Sequence, residues 1–594
     1  MDDIDHGEKD ILSLVKQAYK GDVMLPDFQR NFVWDRKNIE EFIESLLANI
    51  FVGTFLVLKT SKEEAPFKCI FVQGAKEVNP DIKSNPSIIV IDGQQRLTSL
   101  FYAIYSPNIP LRNTERPYAF FIDLKKLAED KEDNADDAVF SISKDERNFR
   151  KLLSGKDYDI EKLKEQKIMP LSMFRDGIDF GKLWYTDFIN LFDVDKAQKV
   201  KEYLDNIFKY QVITLTLPYS FNEKPEEIVI LFERLNRTGI KLSTYDLLVA
   251  RMYKFINLRE EWEKLFGEGT NYINIKKLAR NRVDNTDIPF NIIQALALSK
   301  GKSIKDKDLI KIDSEILNKS EWDRAVNVAN DKVLNLLFDR GKFGIDEDID
   351  KWMPYSTTVI PMLALFLKYE HPDISKLEKW YWSVVFSERY SGSIESDIMK
   401  DFREMSKWIE DNNFLPEAVR DFREQLQKEV FTLKEVKNVG SSLYKGVFNL
   451  IFKNDPCDFY ELENIANNSL NDHHVFPKNF LKSKEVDVEP DLVLNRTLIF
   501  DSTNKMISNK SPSEYIKEII HRYVNRKYSV EKARAKLIDV MNKHFINEEM
   551  VNIMENTSKD LPAEKIKENY ENFIKLREKL IIKRIEEIVG LEED

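Results

Sequence analysis

Through residue 255 the apolar positions switch between a helical period and an alternating one, whereas from 256 to 435 the helical period alone persists. Ile39, Phe42, Ile43, Leu46, Leu47 and Ile50 fall at helical spacing behind Asp35, a suitable N-cap, and predict a helix over 36–50. Residues 54–58 (TFLVL), 87–92 (SIIVID), 118–124 (YAFFIDL) and 211–217 (QVITLTL) are short β-rich runs between turn residues and read as strands. Gly93 follows the second run, and Leu97, Leu100, Phe101 and Ile104 then return to helical spacing, so 87–105 reads as strand–turn–helix. Ser243 and Asp246 have capping-box spacing ahead of the apolar LLVARMYKF.

The middle of the chain carries long amphipathic stretches, among them 322–338 (WDRAVNVANDKVLNLLF) and 375–386 (SKLEKWYWSVVF). Near the end, Ile566, Tyr570, Phe573, Leu580, Ile581, Ile585 and Ile588 form one apolar stripe on a charged helix. Packing on its own domain is the expected use of that stripe, and a homodimer interface the alternative. At 594 residues the chain is too long for one core. The pattern divides it into an α/β domain over 1–255, a helical connecting region over 256–435 and a mostly helical C-terminal domain over 436–594.

Composition narrows the setting. Two cysteines, Cys69 and Cys457, make neither a disulfide framework nor a cysteine zinc site. The start, MDDIDHGEKD, lacks the basic and apolar regions of a signal peptide, and no apolar run reaches the eighteen or so residues of a membrane helix. A reducing, cytoplasmic setting without a membrane is expected. A net charge of -12 argues against indiscriminate coating of nucleic acid, yet 501–547 holds ten Lys or Arg against five Asp or Glu. An acidic chain with one basic district suits a protein that engages nucleic acid locally.

The segments NDHHVFPKNF (471–480) and VLNRTLIFDSTNKMISNKSPSEYI (493–516) carry the strongest chemical signal. Phosphodiester hydrolysis on one metal ion needs a neutral imidazole to take a proton from water and one or two ligands to hold the ion. Adjacent histidines on an extended segment point to opposite sides, so His473 and His474 can take different tasks. The bland alternative is a pair of surface or packing histidines beside turn-forming asparagines. These residues resemble the HNH, or ββα-metal, nuclease family, whose pattern is [DH]-H-[IV]-x-P, then an Asn, then an Asn or His on a short helix. The resemblance implies His474 as general base and His473 with Asn504 as ligands of a divalent metal, Mg²⁺ or Mn²⁺. It makes Asn495 the brace of the loop that holds His474; a shifted register would instead make Asp472 a ligand. Lys505, Lys510, Arg522, Arg526 and Lys527 are candidates for backbone phosphate contacts. His521 and His544 are expected at phosphates or simply at the surface, whereas His6 and His371 give no signal.

A second signal lies in LPDFQRNFVW (25–34) and DGQQRLTSL (92–100). Asp92 and Gly93 make a tight turn after a buried strand, and Gln94, Gln95 and Arg96 then occupy a helix N-terminus, where amide donors and a guanidinium suit a phosphate. The same residues suit a structural corner locked by an Arg–Asp pair, and residue chemistry leaves both readings open. Together with 232–243 (FERLNRTGIKLS), these motifs resemble the N-terminal domain of the GmrSD family of modification-dependent restriction enzymes over about residues 11–255. The resemblance implies a ParB-like or sulfiredoxin-like α/β core and a nucleoside triphosphate site on Asp92, Gly93, Gln94, Gln95 and Arg96, with Gln29 and Arg30 facing it. Arg237 is an additional phosphate candidate, while Phe28 and Trp34 are assigned to the core. No Walker loop occurs.

The two resemblances in this order imply an NTP-regulated, metal-dependent HNH endonuclease. Its substrate would be double-stranded DNA, modified phage DNA in host defence. Alternatives are a nicking enzyme that senses phosphorothioate DNA, as the related SspE proteins do, a nucleotide-switched DNA-binding protein without cleavage, and a nuclease acting on RNA.

Overall fold

A computed structural model describes residues 5–591 except 28–31, 33, 62–64, 112–113, 115, 130–134, 176–183, 224–226, 229–230, 232–242, 254, 346–348, 466–470 and 527. The chain divides into two compact units, Met1–Asn257 and Leu258–Asp594.

The first unit is built on a six-stranded mixed sheet. In chain order its early elements are β1 (Asp5–Asp10), α1 (Ile11–Lys20), β2 (Val23–Pro26), α2 (Arg36–Leu47), β3 (Phe55–Lys59) and β4 (Cys69–Ile70). They are followed by β5 (Ile88–Asp92), α3 (Gln94–Tyr105), β6 (Tyr118–Asp123), β7 (Val139–Ser143), β8 (Ile168–Pro170), α4 (Val194–Lys209), β9 (Gln211–Leu217) and α5 (Thr244–Met252). The sheet order is β1-β9-β3-β5-β2-β4, and β8-β6-β7 form a smaller antiparallel sheet. Four residues of β5 are fully or nearly fully buried, as its unbroken apolar run requires, and β5 lies parallel to β2 and antiparallel to β3. The register of β3 on β5 shifts between Leu56 and Val57, so the pair is irregular just where β5 delivers Asp92.

The four sequence-read strands of this unit are all present. Two differences have clear causes. Helix α2 starts at a reciprocal Asp35–Asn38 capping box but ends at Leu47, leaving Ile50 on the surface at 56% exposure and outside the buried stripe. Strand β1, DHGEKD, has no apolar alternation because it is an edge strand held to β9 by main-chain pairing, with the Thr214 hydroxyl donating to Gly7 O.

The second unit is helical apart from one hairpin. Helices α6 (Asp287–Ser299) and α7 (Val359–Lys368) pack on each other and are apolar on nearly every side, which places them at the centre. Helix α8 (Ile374–Phe386) buries Trp380 and Trp382 and packs against α9 (Glu417–Gln427), α10 (Ser442–Lys453) and the last helix. The helix read over 322–338 is interrupted by a wider π-type turn at Ala329–Val333. The buried Asn330 there accepts bonds from the backbone N–H groups of Asn274 and Ile275. After α10 come β10 (Asn471–His474), β11 (Arg496–Ile499), α11 (Asp501–Ile507), α12 (Pro512–Asn525) and, at the end, α13 (Ala563–Val589).

The stripe on α13 faces the interior of its own unit, against α8, α9 and the turn at 493–495. Leu580 and Ile588 sit at the margin of the stripe, and Arg577 and Glu578 take buried positions on it. Among the described residues, no helix is long and apolar enough to cross a membrane.

Candidate active site

Strands β10 and β11 pair antiparallel, with His473 opposite Thr497 and His474 opposite Arg496, and α11 follows β11 at once. A two-stranded hairpin running into a helix therefore carries His473, His474, Asn495 and Asn504 within one local ββα unit. The α11 N-terminus is fixed by Asp458, which is fully buried and accepts from Phe500 N at 2.8 Å and from Thr503 Oγ1 at 2.6 Å.

Asn495 sits at zero exposure and clamps the chain beyond His474. Its Oδ1 accepts from Phe476 N at 2.8 Å, and its Nδ2 donates to Phe476 O at 3.1 Å and Pro490 O at 2.9 Å. An amide presents one acceptor and two donors on a planar fork, and all three are used.

His473 is 9% exposed, and its Nε2 is buried without a hydrogen-bond partner. The nearest carboxylate oxygen is Asp501 Oδ1 at 3.7 Å, beyond hydrogen-bond range. Burial lowers the His473 pKa below its ordinary value, with Asp501 acting the other way, so the ring is neutral and able to act as a ligand. Asn504 lies three residues beyond Asp501, on the same face of α11. A buried imidazole nitrogen without a hydrogen-bond partner, 3.7 Å from a carboxylate oxygen, fits a divalent cation. Among the described residues no three His, Cys, Asp or Glu side chains gather at one point, so His473 and Asn504 would leave most positions on such an ion to water and phosphate oxygens.

His474 differs from its neighbour in being partnered. Its Nε2 lies 2.9 Å from Asp491 Oδ1. Burial first, then the Arg496 charge, lower its pKa against the Asp491 bond, so this ring is also neutral. Arg496 bridges two carboxylates, reaching Asp491 Oδ1 at 2.8 Å and Asp472 Oδ2 at 2.7 Å, and the Tyr444 hydroxyl donates to Asp472. Asp472 is thus held by Arg496 and Tyr444.

At the N-terminal corner, β5 ends in Asp92, Gly93 takes a φ of 104°, and α3 begins at Gln94. A Cβ at position 93 would lie 2.5 Å from the Phe55 ring, so glycine is required there on two grounds. Arg96 donates from Nη1 to Val52 O at 2.8 Å and from Nη2 to Thr54 O at 2.8 Å, lies over the Phe55 ring and pairs with Asp92 at 3.4 Å. Gln94 and Gln95 are half-buried in the first turn of α3. A pocket of about 300 Å³ in this unit opens at the other end of α3, beside Ile104 and Tyr105. Gln29, Arg30, Arg237 and Phe28 lie outside the described residues, while Trp34 packs edge-on against Phe42, as a core residue should.

The GmrSD restriction endonuclease N-terminal domain matches residues 10–253. An uncharacterized protein of Methanocaldococcus jannaschii is 54% identical over 591 residues, covering 99% of this chain and 100% of that protein. The chain carries a GmrSD-type N-terminal domain and belongs to one family with that archaeal protein. The matched domain is one found in restriction endonucleases, and the matched span falls inside the first compact unit, with Asp92–Arg96 in it. The hairpin with His473 and His474 lies in the second unit, outside the matched domain.

Several residues of the chain take places that sequence reading did not assign. His544 is fully buried, not at the surface. Its Nδ1 bonds Thr497 Oγ1 at 2.7 Å, its Nε2 meets Cys457 O at 2.9 Å, and burial lowers its pKa to about 3. Of the phosphate candidates, Arg522 and Arg526 pair with Glu461 and Lys510 pairs with Glu518. Lys505 and His521 are exposed, and Lys527 lies outside the described residues. Arg577, buried on α13, donates to the carbonyls of Leu494, Arg496 and His544 and thereby fixes the strand behind the site. Arg496 follows Asn495 directly and Asp491 precedes it by four residues, and that proximity was the available signal for both.

Proposed function

We propose that the second unit is a divalent-metal-dependent HNH-type endonuclease centre acting on DNA. The observation that carries this reading is the pair of unlike histidines on one hairpin, one with a buried nitrogen lacking a partner and the other oriented by a carboxylate. His474 takes the proton from the attacking water, and His473 and Asn504 hold the cation. Asn495 keeps the loop after His474 in place, so the base meets the water in a fixed position. A bound Mg²⁺ or Mn²⁺ supplies charge stabilisation for the phosphate and the departing oxygen.

The family relationship supports a restriction role, with modified foreign DNA as substrate and the first unit as a nucleoside triphosphate sensor that licenses cutting. In that unit the Arg96 guanidinium bonds the Val52 and Thr54 carbonyls and pairs with Asp92, which shapes the turn at the α3 N-terminus, where a triphosphate would meet Gln94, Gln95 and the helix N-terminus. The test is cleavage of modified and unmodified phage DNA with Mg²⁺ or Mn²⁺, with and without NTP, comparing wild type and His474→Ala. Metal-dependent cutting abolished in His474→Ala is expected. Equal cutting by both proteins removes the proposed centre, and cutting indifferent to NTP removes the sensor.

A further inference from the structure

His474 and Asp491 come from opposite sides of the loop that joins β10 to β11, and the structure fixes both ends of their contact. On the His474 side, the ladder sets His474 opposite Arg496, and the buried Asn495 holds Phe476, two residues beyond His474. On the Asp491 side, the third bond of Asn495 holds the Pro490 carbonyl, and the Tyr570 hydroxyl on α13 donates to the Glu489 carbonyl at 2.6 Å. One amide side chain therefore determines the spacing of both loops. Asp491 in turn takes Arg496 Nη2 at 2.8 Å on the oxygen that faces His474 and Lys478 Nζ at 2.6 Å on the other. Two cations on one carboxylate, with its backbone pinned, leave it a single orientation.

We propose that Asp491 is a positioning residue that accepts the Nε2–H of His474 and so directs the ring's lone pair, on Nδ1, toward the attacking water. A neutral imidazole has one donor and one acceptor nitrogen, and the partner of the first decides which nitrogen is the base. Without Asp491 the ring can rotate and carry its proton on either nitrogen, so a fraction of molecules presents an N–H where a base is needed. Burial opposes the Asp491 charge, yet Lys478, His474 and Arg496 together hold its pKa well below the usual carboxylate range. It therefore acts as an acceptor throughout the working range and is not itself a proton carrier.

This role rests on the nuclease reading, and its test separates the two. With the full chain, Mn²⁺ and a DNA substrate, Asp491→Ala is expected to lower kcat about 100-fold, within the range that a general base contributes, while KM stays within about threefold. Asp491→Asn turns its amide oxygen to His474 and Arg496 and its nitrogen to the half-exposed Lys478, so it is expected to restore most of the rate. In a His474→Ala background, Asp491→Ala is expected to cost nothing more. Equal losses from Asp491→Ala with and without His474, or equal losses from the Ala and Asn variants, overturn the positioning role. Undiminished cleavage by His474→Ala overturns the nuclease reading itself. Nitrogen-15 spectra of histidine-labelled protein give a readout that needs no cleavage. His474 is expected in the Nε2–H form in the wild type and as a mixture in Asp491→Ala, and an Nδ1–H ring in the wild type overturns the proposal.

Discussion

At Asp92–Arg96 and at His473–His474 a short strand ends in polar side chains, and the two places use them in opposite ways. At the first, the strongest hydrogen-bonding group, Arg96, is directed inward to two carbonyls, an aromatic ring and Asp92. At the second, the polar groups that hold the fold are different residues, namely Asn495, Arg496, Asp458 and Arg577, and His473 keeps a buried nitrogen without a partner. Buried polar groups are nearly always satisfied, so one left open beside a carboxylate invites a ligand. The contrast teaches that motif residues become candidates for chemistry only when neighbours have taken over the structural work.

The contrast is tested most severely by His474→Ala, expected to reduce metal-dependent cleavage between about 10²- and 10⁴-fold with no change in the unfolding midpoint. Retained cleavage would place this pair with Arg96, as structure. Asn495→Ala comes next. It strands the N–H and C=O of Phe476 and the Pro490 carbonyl, and denaturant unfolding should show a loss of roughly 3 kcal/mol together with lost cleavage. For Arg96→Ala the expected loss is about 2 kcal/mol, since two carbonyls lose a charged donor. Unchanged stability with lost nucleotide binding would make Arg96 a ligand contact and collapse the distinction between the two corners.

The smallest effect concerns pH. His544 is held neutral, its pKa lowered by burial to about 3 from 6.5, so between those values the unfolded chain binds a proton that the folded chain does not. Stability from this residue is therefore complete above pH 6.5 and declines as pH falls, by up to roughly 1.4 kcal/mol per unit. Denaturant midpoints at pH 7, 6 and 5 should show that slope in the wild type and a shallower one in His544→Gln.

Local signals determined much of this protein. Periodicity placed strands β3, β5, β6 and β9, short side chains capped α2 and α5, and the His–His–x–x–Pro run with Asn495 and Asn504 marked the hairpin and its helix. Each depends on residues a few positions apart, whose relation survives in any fold. The polar edge strand β1 was silent because main-chain pairing needs no apolar side chain. The partner of His474, the depth of His544 and the use of Arg577 were decided by tertiary structure. Asp491 lies across a loop from His474, and Arg577 reaches Leu494 and Arg496 from another helix. Which hydrogen-bonding groups are satisfied and which stay open depends on every element packed around them, and that total exists only in the folded chain.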